Sequence, residues 1–196
     1  MTRIIAGAAK GRRLAVPKLG TRPTSDRVRE SLFSAVSAHF LKVGVSWSEL
    51  VVLDLYAGTG ALGLEALSRG AHRVLLIEKT RAAGAVIEAN IKVVALPGAQ
   101  LLIGDVTAVI ERLGAEPFGL VLVDPPYEVS SEAIATLLTA LQAYKTLASE
   151  ALVVVERPTG GGQAPFPASW RVLRQSGQGD TTLWYGQAPE NVLDCK

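Results

Sequence analysis

The chain has 196 residues, of which 48% are hydrophobic and 19% charged, so it is long enough to bury a core. No apolar run approaches the roughly 20 residues that span a bilayer, and the N-terminus lacks the apolar core of a secretion signal, so we expect a soluble cytoplasmic protein with no membrane partner. One cysteine, Cys195, and two isolated histidines, His39 and His72, argue against disulfides and metal sites.

The net charge of +2 is distributed unevenly. Residues 1–30 hold Arg3, Lys10, Arg12, Arg13, Lys18, Arg22, Arg27 and Arg29 against Asp26 and Glu30, whereas the rest of the chain is acidic on balance. A concentrated positive segment predicts a polyanionic partner. The alternative is a solvated basic tail that only aids solubility.

The first elements in chain order are a hairpin and a helix. Residues 1–20 are basic and glycine-rich with two short apolar pieces, which predicts a small β-hairpin or arm. Thr24 or Ser25 then caps a helix that runs through Ala38. Its apolar stripe consists of Val28, Leu32, Val36 and Phe40, and Arg27 and Arg29 lie off this stripe.

From residue 50 onward, short apolar runs alternate with amphipathic stretches. Strands are predicted near 50–55, 73–78, 100–105, 118–123 and 151–156, and helices over 61–69, 80–94, 106–113 and 131–144. This alternation predicts a parallel α/β sheet. No helical stretch separates residues 170–175 from 181–185, so this pair should form an antiparallel hairpin and make the sheet mixed.

The first motif follows the strand near 50–55. Gly58, Gly60 and Gly63 satisfy the dinucleotide-binding spacing between a strand and a helix, which by itself is a weak signal. Asp54 fits a pyrophosphate poorly but suits a cofactor with a cationic amino acid portion, such as S-adenosylmethionine. Glu78 ends the next strand, where it can accept hydrogen bonds from ribose hydroxyls of either cofactor.

The second motif follows the strand at 118–123. Asp124 supplies an acceptor, Pro125 and Pro126 hold the backbone extended, and Tyr127 offers an aromatic face. Together they suit the exocyclic amine of an extruded base, although Asp-Pro is also an ordinary turn signal. If the first and fourth strands are adjacent, both motifs face one crevice, where a methyl donor and an amine are held for direct transfer.

Both motifs resemble those of class I S-adenosylmethionine-dependent amino-methyltransferases. In addition, residues 22–33, which begin Arg22-Pro23-Thr24-Ser25, and the arm from Arg3 to Leu14 are similar to the RsmD family of bacterial 16S ribosomal RNA guanine-N2 methyltransferases. The resemblance covers about residues 3–186. It implies a three-layer αβα fold with a seven-stranded sheet in the order 3-2-1-4-5-7-6, an RNA arm at 1–20, a catalytic domain at 21–186 and a tail at 187–196.

The resemblance also implies a function and its residues. The expected reaction methylates a guanine N2 amine in 16S rRNA, within an assembled or partly assembled small subunit, by a protein expected to be monomeric. The expected cofactor residues are Asp54, Tyr56, Ala57, Gly58, Gly60, Glu78, Lys79, Asp105 and Val106. The expected catalytic residues are Asp124, Pro125, Pro126 and Tyr127, and the expected RNA-binding residues are Arg3, Lys10, Arg12, Arg13, Arg22 and Arg27. The glycines at 159–162 and the tail receive no role.

Three alternative hypotheses about the function compete with a guanine-N2 methyltransferase. The four-residue motif recognises an amine and not guanine itself, so adenine N6 in DNA or RNA is the nearest rival substrate. An NAD(P)-dependent oxidoreductase accounts for the glycines and Glu78 but leaves Asp54 and the second motif without a role. A non-catalytic RNA-binding assembly factor accounts for the basic arm but not for the paired motifs.

Overall fold

The computed structural model describes residues 2–16, 25–113, 117–160 and 162–190. Its helices are α1 (Asp26–Val43), α2 (Ala61–Ser68), α3 (Arg81–Val94), α4 (Val106–Val109) and α5 (Ser131–Ala143). Its strands are β1 (Thr2–Arg3), β2 (Arg13–Leu14), β3 (Val51–Leu55), β4 (Arg73–Glu78), β5 (Ala99–Ile103), β6 (Phe118–Val123), β7 (Leu147–Pro158), β8 (Arg171–Gln178) and β9 (Thr181–Gln187).

The strands form two sheets. Strands β1 and β2 pair antiparallel as the predicted N-terminal hairpin, and the other seven form a mixed sheet in the order β5-β4-β3-β6-β7-β9-β8. Strand β4 is parallel to β3 and β5, β7 is parallel to β6, and β9 is antiparallel to both β7 and β8. The predicted fold and strand order are confirmed.

The chain divides into two compact units, Met1–Val106 and Thr107–Lys196. In the first unit, α2 packs on β3 and β4, and α3 packs on β4 and β5. Its fully buried side chains include Leu53, Leu64, Leu76 and Ile87. Apolar residues on both faces of these strands are expected for a parallel sheet that is covered on both sides.

The second unit joins β6 and β7 to the C-terminal hairpin. Its core includes Leu120, Leu122, Leu138 and Val153, all fully buried. Strand β7 is twice as long as the predicted run, because its residues pair with β9 as far as Pro158. Strand β9 ends at Gln187.

Helix α1 begins after a predicted cap residue but ends at Val43, five residues beyond the predicted end at Ala38. The Ser25 hydroxyl accepts the Val28 N–H at 3.3 Å, and Gly44 ends the helix in the left-handed conformation. The predicted apolar stripe is buried. However, Arg29 is also fully buried and donates to the Arg3 carbonyl at 2.7 Å and to Asp26 at 2.6 Å, so its position off the stripe does not expose it.

Two further predicted boundaries were wrong. Helix α4 has only four residues before a 3-10 turn at Ile110–Arg112 replaces it. Strand β5 ends at Ile103, so Asp105 lies in the short connection to α4 and not at the strand end. Among the described residues, no helix has the length and apolarity needed to cross a membrane.

Candidate active site

The loop between β3 and α2 has a tight and unusual backbone. Tyr56, Gly58 and Gly60 have φ angles of 60°, 56° and 75°, all in the left-handed region. Glycine adopts this conformation without steric cost, whereas Tyr56 is strained there, a feature that clusters at ligand sites. The Ala57 N–H donates to the Ile77 carbonyl at 2.9 Å, so β4 holds the loop in place.

Asp54 lies beneath this loop and is 1% exposed. Its Oδ2 accepts the Gly63 N–H at 2.8 Å, which joins the end of β3 to the first turn of α2. A Cβ added to Gly63 would lie 3.0 Å from that oxygen and 2.8 Å from Cγ1 of Val74. Gly63 therefore permits the close approach of helix and strand that brings the Asp54 carboxylate to the loop.

Glu78 holds the other side of the loop. Its Oε2 accepts the Gly58 N–H at 3.0 Å, and its Oε1 accepts the Thr80 N–H at 2.9 Å and the Thr80 hydroxyl at 3.0 Å. Both oxygens are thus oriented, one by the glycine loop and one by Thr80, the N-cap residue of α3. This places an oriented carboxylate where the sequence predicted one.

The end of β5 adds a third carboxylate. Asp105 Oδ2 lies 3.0 Å from Lys79 Nζ, with the two side chains 40% and 74% exposed, so solvent screens this pair strongly. Burial raises the pKa of the Tyr56 hydroxyl and the Asp105 carboxylate raises it further, so Tyr56 stays neutral at physiological pH. Val106 is buried at the start of α4. The unit therefore brings Tyr56, Glu78, Lys79 and Asp105 to one end of its strands.

In the second unit, the Asp-Pro-Pro-Tyr motif directly follows β6. Pro125 is buried, Asp124 is half-buried, and Tyr127 is 57% exposed. The Val129 N–H donates to the Pro126 carbonyl at 3.0 Å, which closes a turn after the two prolines. The Tyr127 ring is therefore accessible from solvent, as an aromatic face that stacks on a base must be.

The family described as "Conserved hypothetical protein 95" matches residues 2–187. The chain belongs to this family. "Ribosomal RNA small subunit methyltransferase D" of Escherichia coli (strain K12) is 36% identical over 174 residues, which cover 88% of this chain and 83% of the relative. "Putative rRNA methyltransferase YlbH" of Bacillus subtilis (strain 168) is 34% identical over 158 residues, or 79% and 81% of the two chains. These findings confirm the predicted family and the prediction of a methyltransferase.

Solved structures agree with the fold. "Putative methyltransferase yhhF from Escherichia coli" has 32% identity and a TM-score of 0.81, over 96% of this chain and 98% of that chain. An RNA methyltransferase from Salinibacter ruber in complex with S-adenosyl-L-homocysteine has 20% identity and a TM-score of 0.61, over 88% and 97% of the chains. The second likeness supports the fold alone.

The basic residues predicted to bind RNA are not equivalent in the structure. Lys10, Arg13 and Arg27 are exposed, and Arg3 is exposed but lies 3.3 Å from Asp26. Arg12 donates from Nη1 to the Val93 carbonyl at 2.9 Å and also to the Val94 carbonyl. Arg12 therefore satisfies the last carbonyls of α3, a structural role that the sequence analysis missed. Arg22 lies outside the described residues.

Glu65 and Ser68 of α2 anchor the N-terminal hairpin. Glu65 is fully buried and accepts the Ile5 N–H at 2.7 Å and the Ala6 N–H at 3.0 Å. The Ser68 hydroxyl donates to the Ala6 carbonyl at 2.6 Å. The hairpin is thus bound to the helix that follows the glycine loop.

Asn90 of α3 is a further residue that the sequence analysis missed. It is fully buried, and its Nδ2 donates to the Thr59 carbonyl at 2.8 Å and to the Ala15 carbonyl at 3.0 Å. Its Oδ1 accepts the Ala15 N–H at 2.7 Å. One side chain therefore holds both the glycine loop and the end of the hairpin. A polar residue on the buried stripe of a predicted helix was the available signal.

Proposed function

We propose that this protein is an S-adenosylmethionine-dependent methyltransferase that modifies the exocyclic N2 amine of a guanine in 16S rRNA. The observation that carries this proposal is the left-handed glycine loop held between the Asp54 and Glu78 carboxylates. The names of the family relatives support a small-subunit rRNA substrate. The motif at residues 124–127 supports an amine as the acceptor of the methyl group.

The residues of the first unit fit this cofactor in charge and shape. The buried Asp54 carboxylate provides negative potential for a cationic amino group and sulfonium, and Glu78 provides acceptors for ribose hydroxyls. Gly58 and Gly60 adopt positive φ angles without strain, and as glycines they have no Cβ to obstruct a ligand. Tyr56, Ala57, Lys79, Asp105 and Val106 complete the proposed cofactor site. The bound cofactor supplies an electrophilic methyl group.

The residues of the second unit would hold the amine. Asp124 and the Pro125 carbonyl would accept its two N–H bonds and would so fix the orientation of the amine nitrogen. Tyr127 stacks on the base and keeps it out of the helix. On accepting the methyl group that the bound cofactor would supply, the amine would become cationic and would release a proton to Asp124 or water. Positioning therefore supplies most of the rate enhancement.

The N-terminal arm, residues 1–20, would bind the rRNA backbone. Arg3, Lys10, Arg13 and Arg27 are exposed cations and so are available to phosphates. Arg12 and Arg22 complete the proposed set. We further propose that residues 21–186 form the catalytic domain, that residues 187–196 are a tail, and that a monomer acts in the cytoplasm on an assembled or partly assembled small subunit.

The decisive experiment labels the product. Purified protein is incubated with S-adenosylmethionine that carries a labelled methyl group and with small subunits from cells that lack this protein, and the RNA is digested to nucleosides. Label in N2-methylguanosine supports the proposal. Label in N6-methyladenosine would establish the adenine alternative, and saturable NADH binding without S-adenosylmethionine binding would favour an oxidoreductase.

Variants test the roles of the motif. Asp124→Ala and Tyr127→Ala should each lower methyl transfer strongly while cofactor affinity stays near that of the wild type. Tyr144→Ala is the matched control, because Tyr144 is also an exposed tyrosine of the second unit, at 47% exposure. Near-normal transfer by both motif variants would refute the proposed roles.

A further inference from the structure

Arg157 is a buried cation that the proposed reaction has not yet used. It lies near the end of β7 and is only 7% exposed. Its Nε and Nη1 atoms are buried and have no hydrogen-bond partner among the described residues. A guanidinium carries five donors and stays charged, so burial without acceptors is costly. Such a group in a folded protein points to a ligand that supplies the acceptors.

The strand register places Arg157 at the same sheet edge as the Asp-Pro-Pro-Tyr motif. The last parallel pair of β6 and β7 is Val123 with Val155. Two residues further along each strand direction are Pro125 and Arg157. Because parallel strands end at the same edge of a sheet, the guanidinium and the motif belong to the same edge of the second unit.

The start of α5 gives a second reference point. The pKa of Glu132 is lowered, first by its own backbone N–H and the Ser130 hydroxyl and then by the positive charge of Arg157. Arg157 is therefore within electrostatic range of the helix start that follows Tyr127. On the strand of Arg157 itself, the neighbouring Glu156 accepts the Thr181 hydroxyl at 3.2 Å. Two reference points therefore locate Arg157 relative to the motif: the end of β6, which precedes the motif, and the start of α5, which follows it.

We propose that Arg157 reads the O6 and N7 atoms of the target guanine while Asp124 holds its N2 amine. Arginine forms a bidentate pair with these two acceptors, and they lie on the far side of the base from N2. Adenine presents an amino donor in place of O6, so it would leave the buried guanidinium facing another donor. This inference rests on the proposed function and explains how a motif specific for amines selects guanine.

The test combines a change of the target base with a change of Arg157. Small subunits are reconstituted around 16S RNA that carries either guanine or 2-aminopurine at the methylated nucleotide, since 2-aminopurine keeps the 2-amino group and lacks O6. The ratio of kcat/KM for guanine to kcat/KM for 2-aminopurine is measured for the wild type, Arg157→Ala, Arg157→Lys and Arg171→Ala. Arg171 is the matched control, an exposed arginine of β8 in the same unit.

We expect Arg157→Ala to reduce this ratio by about 5- to 150-fold, the discrimination that a bidentate contact to guanine provides. Arg157→Lys should also reduce it, because an ammonium keeps the charge but not the paired donors. It serves as the folded variant if the alanine variant does not fold. Arg171→Ala should leave the ratio unchanged, and S-adenosylmethionine affinity should be normal in all variants.

Two outcomes overturn the inference without touching the proposed function. An equal loss of kcat/KM on both bases would assign Arg157 to a phosphate or to structure, and an unchanged ratio would give it no role in base selection. A wild-type protein that methylates neither base while it binds S-adenosylmethionine would overturn the proposed function, and the inference with it.

Discussion

The anchoring of the hairpin on α2 depends on the buried carboxylate of Glu65. This side chain has no solvent exposure, accepts two backbone N–H groups of the hairpin and lies 2.8 Å from Arg69 Nε. Glu65→Gln keeps the shape but replaces one acceptor oxygen with an NH₂ group, which then faces a donor. We expect the hairpin to lose its attachment and the protein to lose stability.

The magnitude follows from the contacts. A hydrogen bond to a charged group contributes about 1.5–3 kcal/mol, and loss of one partner of a buried ion pair costs about 3–5 kcal/mol. Arg69 keeps its position 5.0 Å above the Phe33 ring centroid, and this contact reduces the loss in the free energy of unfolding. We therefore expect Glu65→Gln to lower the free energy of unfolding by about 3 kcal/mol, a large share of the 5–15 kcal/mol typical of a protein.

Urea unfolding measures this loss, and hydrogen exchange at the Ile5 and Ala6 amides shows whether the hairpin is released. Glu88→Gln is the control, because Glu88 is an exposed glutamate of α3 and its replacement should change stability by less than about 0.5 kcal/mol. A Glu65→Gln protein with wild-type stability and unchanged protection of both amides would refute the anchoring role.

Three further predictions follow from the same structure. Asn90→Ala should raise the dissociation constant for S-adenosylmethionine, because the Thr59 carbonyl loses its donor; calorimetric titration checks this, and unchanged affinity in a folded variant would contradict it. Arg13→Ala should weaken RNA binding and flatten its salt dependence without loss of stability. Arg12→Ala should have the same effect on RNA binding and should also lower the urea midpoint, because Arg12 caps α3. Equal stability of the two variants would argue against the cap. Tyr185→Phe should stabilise the protein by about 1 kcal/mol, because the Tyr185 hydroxyl is buried without a partner among the described residues. Burial raises the pKa of Tyr185 to about 12 from its ordinary value of 10.0. Between pH 10 and pH 12 the unfolded wild type therefore ionises at Tyr185 before the folded protein does, so the wild type loses stability over this range while the phenylalanine variant does not. The difference in urea midpoint between variant and wild type should therefore be larger at pH 11 than at pH 8. An equal difference at the two pH values would contradict this prediction.

Sequence patterns predicted those parts of the protein that depend on neighbouring residues. Period and turn chemistry located most of the strands and helices and the Ser25 cap, but placed the end of α1 at Ala38 and not at Val43. The boundaries that failed, at α4 and at the end of β5, lie where short helical and extended segments meet and local preferences are weak. The extra length of β7 could not be predicted from its own residues either, because pairing with β9 determines where the strand ends.

The sequence by itself determined the fold class, the family and the two motifs at 54–63 and 124–127, because strand, turn and helix signals are local and the motifs keep a fixed spacing. Only the tertiary structure decided which polar residues are free to meet a ligand. Arg12, Arg29, Glu65 and Asn90 all satisfy backbone groups, in three cases 31–82 positions away in sequence. A buried polar group must find its partner wherever the fold brings one, and no local pattern encodes that distance.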